Sequence, residues 1–272
     1  MQTQVHSMKV AMAAAVMAGG AAASALHLGD AAVGLANGRL ATGVFLVSGE
    51  GAVPLLSERV FICTLGKFPG FNDDPGFDSL ENTFSPGQAI GYSMRGSLRK
   101  WTGAGLTTAI DERLQTRFGT AATIRQSSTD DTPVLGTSRT ASGVGVWHHH
   151  IGYTLLAPAS DGVYTLEFEL WAPGGTPATS KPFWMVFNQN SDDATVQSVV
   201  AYLKQNVVQE TCAADINADG LVDDSDFTLF AFGYNELLCT PPGCPYDFNG
   251  DGAVDDTDFI VFAQQYNELL CP

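Results

Sequence analysis

From Cys212 onward the chain repeats itself. CAADINADGLVDDSDF at 212–227 runs on to YNELLC at 234–239, and 32 residues later CPYDFNGDGAVDDTDF at 244–259 runs on to YNELLC at 266–271. A repeat this regular commits both copies to one local structure, and units this small must pack together to bury any core. Both copies fit a twelve-residue calcium loop. In the first, Asp215, Asn217 and Asp219 hold positions one, three and five, Gly220 makes the sharp turn at six, and Leu221 offers its carbonyl at seven. Asp223 and Asp226 follow at nine and twelve. The second loop presents Asp247, Asn249, Asp251, Gly252, Ala253, Asp255 and Asp258 in the same order. Calcium is a hard cation that takes six to eight oxygens, and alternate side chains of a wrapped loop converge on it. The glycine allows a backbone angle that a Cβ resists. Two Ca²⁺ ions are therefore expected, and mutual repulsion among the loop carboxylates should couple their binding to folding. Val222 and Val254, at position eight, are expected to join the loops through a short β-bridge. A single D-x-N-x-D-G is commonly a solvated acidic turn. Two copies in matched register, each leading into an apolar helix, argue against that.

The charge is divided as sharply as the sequence. Residues 212–272 hold twelve Asp or Glu and no Lys or Arg, which is −12 of the chain's −16; the other 211 residues set 13 cations against 17 acids. Two units of different composition thus share the chain, and neither offers the basic face that a nucleic-acid partner needs. At the other end, one cation (Lys9), an Ala/Val/Met run and Ala23-Ser24-Ala25 follow the order of a secretory signal. The run is broken by Gly19-Gly20 and falls short of the twenty or so apolar residues of a membrane span. The expected layout is a signal peptide over 1–25, a β-sandwich-like domain over 26–208 and a calcium module over 209–272. The mature chain is then secreted or held in the cell envelope, with no transmembrane anchor after signal cleavage.

Each loop leads into a helix. Phe227, Phe230 and Tyr234 recur at helical spacing, as do Phe259, Phe262 and Tyr266, so these aromatics are the expected core of the module. Asp at position twelve, the lack of an entering helix and two tandem loop–helix units make residues 212–272 resemble a dockerin. The resemblance implies a small α module that is not catalytic and that docks to a cohesin-like or cell-surface protein receptor. Dockerins often carry a recognition pair at positions ten and eleven; here those places hold Asp224-Ser225 and Asp256-Thr257. Four of the five cysteines flank the repeats, and in an exported protein disulfides are expected. Four cysteines allow three pairings. The resemblance implies Cys239–Cys244 and Cys212–Cys271. Cys63, in Val-Phe-Ile-Cys-Thr-Leu, reads as a buried strand thiol.

Residues 26–208 read as mainly β, with strands expected at 40–47, 59–65, 89–94, 113–118, 144–156, 162–171 and 183–187, separated by turn-rich segments. That spacing suggests a β-sandwich. One helix closes the domain, where Val196, Val199, Val200, Leu203 and Val207 recur at helical spacing after the capping candidates Ser191 and Asp192. The region also loosely resembles exported bacterial β-rich proteins that carry similar calcium repeats.

Its chemically suggestive feature is Trp147-His148-His149-His150. On extended backbone His148 and His150 share a face, close enough to bind one metal, with His27 and Asp30 as further ligands. Zn²⁺ or Cu²⁺ suits imidazole donors. The bland reading is a surface strand with ordinary histidines. Dockerins are often joined to glycoside hydrolases, so a hydrolase or a polysaccharide-binding protein is the rival to a non-catalytic role. Glu167 and Glu169 share one strand face, but a half-exposed strand needs that pattern anyway. Trp101, Trp171 and Trp184 are the candidate sugar-stacking residues, although Trp in β-proteins is more often core. Asp73, Asp74 and Asp78 sit in a turn-rich loop and read as serving turn geometry or a surface ion. G-x-S-x-G, H-E-x-x-H and phosphate-binding glycine loops do not occur.

Overall fold

The computed structural model describes residues 29–48, 51–65, 70–120, 123–208, 213–217, 221–236, 244–248 and 252–266. The signal-peptide segment, His27, Cys212, Asp219, Gly220, Cys239, Asn249, Asp251 and Cys271 lie outside them. The protein is mainly β, as expected. Strands β1 (Ala31–Ala36), β2 (Arg39–Ser48), β3 (Gly51–Leu55) and β6 (Phe77–Asp78) form one four-stranded sheet in the order β3-β2-β1-β6. A second has the order β11-β10-β13-β5, from β5 (Phe71–Asn72), β10 (Leu114–Arg117), β11 (Arg125–Gln126) and β13 (Gly152–Leu155). The seven-stranded sheet follows β12-β7-β14-β15-β4, built from β4 (Val60–Thr64), β7 (Ala89–Met94), β12 (Val134–Thr140), β14 (Gly162–Trp171) and β15 (Phe183–Gln189). The short strands β8 (Arg99–Trp101) and β9 (Leu106–Thr107) hang on β14.

One core unites the three sheets. Alternate residues of β14, Tyr164, Leu166, Phe168 and Leu170, are buried in it together with Phe183, Met185 and Phe187 of β15. From the smaller sheets come Ala31, Val33, Phe77, Leu114 and Tyr153. Contacts cross between layers: Phe77 meets Phe183 edge-on at 5.8 Å, and the Tyr92 and Thr116 hydroxyls hydrogen-bond at 2.7 Å. Two small sheets thus cover what a simple sandwich covers with one. Cys63 is a free, fully buried thiol in β4, and burial pushes its pKa up.

The expected strand over 144–156 is shorter than the pattern suggested. Ser142 to Val146 forms a turn, closed by Ser142 N–H donating to Val146 O and Gly145 N–H to Ser142 O, and regular pairing resumes only at Gly152. Among the expected strands, β7 and β14 match their predicted bounds, because both alternate or run apolar between clear turns.

Helix α1 (Asp193–Asn206) packs on the outer face of the large sheet, setting Val196, Val199 and Leu203 against Val60, Val163, Trp184 and Val186. Asp192, rather than Ser191, caps it, accepting a bond from Thr195 N–H at 2.7 Å. Asp192→Ala should lower the thermal midpoint, since it leaves the Thr195 N–H of the first turn without its cap. An unchanged midpoint would mean that tertiary packing alone holds the first turn.

Helices α2 (Asp224–Glu236) and α3 (Asp256–Tyr266) form the C-terminal module. Its core joins Ala214, Ile216, Val222, Phe230, Tyr246, Val254 and Phe262, and it also takes in Leu55 of β3 with Val44 and Leu46 of β2 packed alongside. Lys204 of α1 adds a polar tie, bonding Glu58 Oε2 at 3.1 Å and the Cys244 carbonyl at 3.2 Å. Cys244 is disulfide-bonded. No helix among the described residues is long and apolar enough to cross a membrane.

Candidate metal centres

In the module, the acidic residues do two jobs. Asp223 and Asp255, at position nine, sit just before α2 and α3 and accept bonds from Ser225 N–H and Thr257 N–H, each at 2.8 Å. Asp226 and Asp258, at position twelve, reach back to accept from Asp223 N–H and Asp255 N–H, each at 3.0 Å. This is a reciprocal capping box at both helix starts, and negative charge there is favoured by the helix dipole. The other carboxylate oxygen of each gathers the start of its loop. Asp226 Oδ1 accepts from Ile216 N–H at 2.8 Å and Asn217 N–H at 3.1 Å, while Asp258 Oδ1 accepts from Phe248 N–H at 2.7 Å. Both position-twelve side chains are fully buried. Gly252 has φ +90° and donates its N–H to Asp247 Oδ2 at 3.0 Å, closing position six onto position one.

The module's approximate twofold shows in two reciprocal bonds: Tyr234 donates to Asp256 Oδ1, and Tyr266 to Asp224 Oδ1, each at 2.5 Å. The position-ten aspartates therefore clasp the opposite repeat. Val222 and Val254 have side chains fully buried in the shared core, and an isolated bridge residue stands beside them at Leu221. Phe230 and Phe262 are the core aromatics, stacked at 5.1 Å and 1% exposed. Phe227 and Phe259, expected in the core with them, are instead 45% and 43% exposed in the first turn of each helix.

The second centre lies in the β-domain. Strand β1 pairs in parallel with β6, and Phe77 of β6 forms a bridge on its other side with His149. This puts Asp30, just before β1, beside the histidines. Residues 147–151 hold only the one bridge at His149 and are not a regular strand, and His149 packs edge-on against Trp147 and Phe118. His148 and His150 face the other way, as the alternation requires. The Nε2 atoms of His148 and His150 are 3.2 Å apart, and each is 3.4 Å from Asp30 Oδ2. Asp30 is 5% exposed, and its Oδ1 accepts from Gly76 N–H at 2.8 Å. His150 Nδ1 lies 2.8 Å from the Asp73 carbonyl and 3.3 Å from Asp74 Oδ1. Gly76 is required here, since a Cβ would come within 2.7 Å of the His150 ring. Among the described residues these three side chains offer one ligand atom each, all within 4.8 Å of one another.

The remaining candidates are tied up elsewhere. Glu167 and Glu169 do share a face of β14, but one guanidinium holds both: Arg95 Nε is 3.2 Å from Glu167 and its Nη1 2.6 Å from Glu169. Burial raises the Glu167 pKa, and Arg95 opposes that shift. Trp184 is buried under α1, Trp101 packs edge-on against Tyr202 at 5.2 Å, and Trp171 lies over Gly91. Asp78, expected in a turn, is instead buried in β6, where its Oδ1 accepts from Ser79 N–H.

No family model matches the chain, and no curated protein matches it. Among solved structures, an ASH/PapD-like domain of human CEP192 is 12% identical and covers 50% of this chain and 84% of that one, with a TM-score of 0.28. A family 123 glycoside hydrolase from Clostridium perfringens is 11% identical over 48% of this chain and 23% of that one, with a TM-score of 0.27. The N-terminal domain of PorA is 12% identical over 52% and 92%, with a TM-score of 0.25. At such TM-scores these likenesses carry no weight for fold or activity.

Proposed function

We propose that this is an exported, non-catalytic protein whose C-terminal module binds two Ca²⁺ ions and docks the β-domain to a protein receptor, in the manner of a dockerin. The observation that carries the reading is the pairing of two equivalent loops, each closed by a buried position-twelve aspartate and each leading into a capped helix. The residues fit a calcium ion. The donors are all oxygen, no Lys or Arg occurs after residue 212, and Gly252, at position six of the second loop, has the positive φ the turn demands. Asp215, Asn217, Asp219, the Leu221 carbonyl, Asp223 and Asp226 would hold one ion. Asp247, Asn249, Asp251, the Ala253 carbonyl, Asp255 and Asp258 would hold the other. The ions neutralise crowded carboxylates and fix the loops. The half-exposed Phe227 and Phe259, related by the approximate twofold, offer a receptor an apolar contact.

Calorimetric titration of the full chain with calcium tests the reading. Two ions per chain are expected, falling to one in Asp215→Ala and in Asp247→Ala. Immobilised protein should then retain a receptor from envelope extract in calcium and release it on chelation. A stoichiometry below two in the intact chain, or retention indifferent to chelator, would sink the proposal.

A further inference from the structure

We propose that Asp30, His148 and His150 form a separate zinc site in the β-domain, with three protein ligands and a fourth position open to solvent. The distances come first. Ligand atoms about 2.0–2.1 Å from zinc at tetrahedral angles stand about 3.3 Å from one another, whereas a facial octahedral set with the same bonds stands about 2.9 Å apart. The three edges of the triangle here are 3.2, 3.4 and 3.4 Å. An ion slightly out of the plane of that triangle reaches all three atoms without moving any side chain.

The chemistry of the outer contacts agrees. A carbonyl can only accept, so the short contact between His150 Nδ1 and the Asp73 carbonyl places a proton on Nδ1. In the neutral ring this turns the Nε2 lone pair inward, toward His148 Nε2 and Asp30 Oδ2. One proton on His148 Nε2 bridges one side of such a triangle; a cation near its centre serves all three. Orientation of a ligating histidine by an outer carbonyl, and of a ligating carboxylate by a backbone N–H, is what metal sites use to fix their ligands. Both contacts are present, from Asp73 and from Gly76.

The carboxylate is 5% exposed, while the side chains of His148 and His150 are 24% and 27% exposed. Solvent or a small ligand therefore approaches over the imidazoles. Two nitrogens and one oxygen favour zinc over calcium, which takes oxygen donors. The two kinds of metal in this protein are thus sorted by ligand type: calcium in the all-oxygen loops, zinc at the imidazoles.

Cobalt(II) substitution of the full chain tests this, in excess calcium so that the loops are occupied. One cobalt per chain with a strong visible band of four-coordinate type is expected, and one equivalent of zinc should displace it. His148→Ala and Asp30→Asn should each weaken zinc by more than about 100-fold, the upper figure for losing even an outer partner of a ligand. His149→Gln, whose ring faces away, should bind as the parent does. Gly76→Ala, which pushes a Cβ into the His150 ring, should weaken zinc while leaving the calcium stoichiometry intact. Circular dichroism checks that each variant folds, and the parent's band stands independently of them. Absence of the band in the parent, or cobalt uptake that is unchanged in both His148→Ala and Asp30→Asn, overturns the proposal. In the first case the triangle is a proton-bridged network; in the second the cobalt sits in the calcium loops.

Discussion

On the proposal that the two loops hold calcium, its removal from the full chain is expected to unfold α2 and α3 and to loosen the β2–β3 hairpin with them. A ligand that binds only the folded state stabilises it by about 2.7 kcal/mol at a concentration 100-fold above its dissociation constant, so two sites supply about 5 kcal/mol. Domains carry roughly 0.05–0.15 kcal/mol per residue, which gives a 61-residue module about 3–9 kcal/mol in all. Chelation therefore takes away most of the module's stability. The effect should not stop at the module boundary, because Leu55 is 1% exposed only while Ile216, Val222, Val254 and their neighbours cover it. Far-ultraviolet circular dichroism should lose helix signal on adding chelator and regain it with calcium. Amide hydrogen exchange should rise in residues 44–55 while β14 and β15 stay protected. An unaltered spectrum and unaltered exchange in chelator would show that the metal-free loops are held by their caps alone.

Phe262→Ala should be the most damaging single substitution in the module. Its ring is 1% exposed and stacks on Phe230 at 5.1 Å, with Phe227, Phe248 and Tyr266 around it. Truncating a buried Phe costs about 3–5 kcal/mol, comparable with the stability of the whole module. Denaturant unfolding in saturating calcium should therefore show the module transition shifted to much lower denaturant or lost, with apparent calcium affinity reduced in step. Phe227→Ala is the informative partner. It belongs to the same kind of helical stripe, one turn earlier in the other repeat, but is 45% exposed, so its cost should stay near 1 kcal/mol or below, the range of an ordinary surface change. Equal losses in the two variants would contradict the packing described above.

That contrast between Phe227 and Phe262 marks how far local pattern reaches. Periodicity names a face of a helix, and the spacing of the acidic loops names candidate ligands, because both are set by the geometry of a few consecutive residues. The strands β7 and β14 were legible for the same reason: their apolar runs and alternation end at clear turns. The segment 144–156 was not, since Ser142 and Gly145 spend its first residues on a turn that hydrogen bonds, not hydropathy, maintain. The role of Asp223, Asp226, Asp255 and Asp258 as helix caps was available in principle, as D-x-x-D ahead of an apolar run.

By itself, then, the sequence determined what neighbouring residues decide among themselves: the two acidic loops, the helices they cap, the shared face of His148 and His150, and the β character of the larger domain. Tertiary structure decided what depends on which distant strands meet. Asp30 reaches the histidines only because Phe77 pairs with β1 on one side and His149 on the other. Asp224 and Asp256 become clasps only because the two repeats pack face to face. The module's core is completed by Leu55, a residue of the β-domain that no repeat pattern could assign to it. Such pairings follow from the summed burial and hydrogen bonding of the whole chain, and no short stretch carries that information.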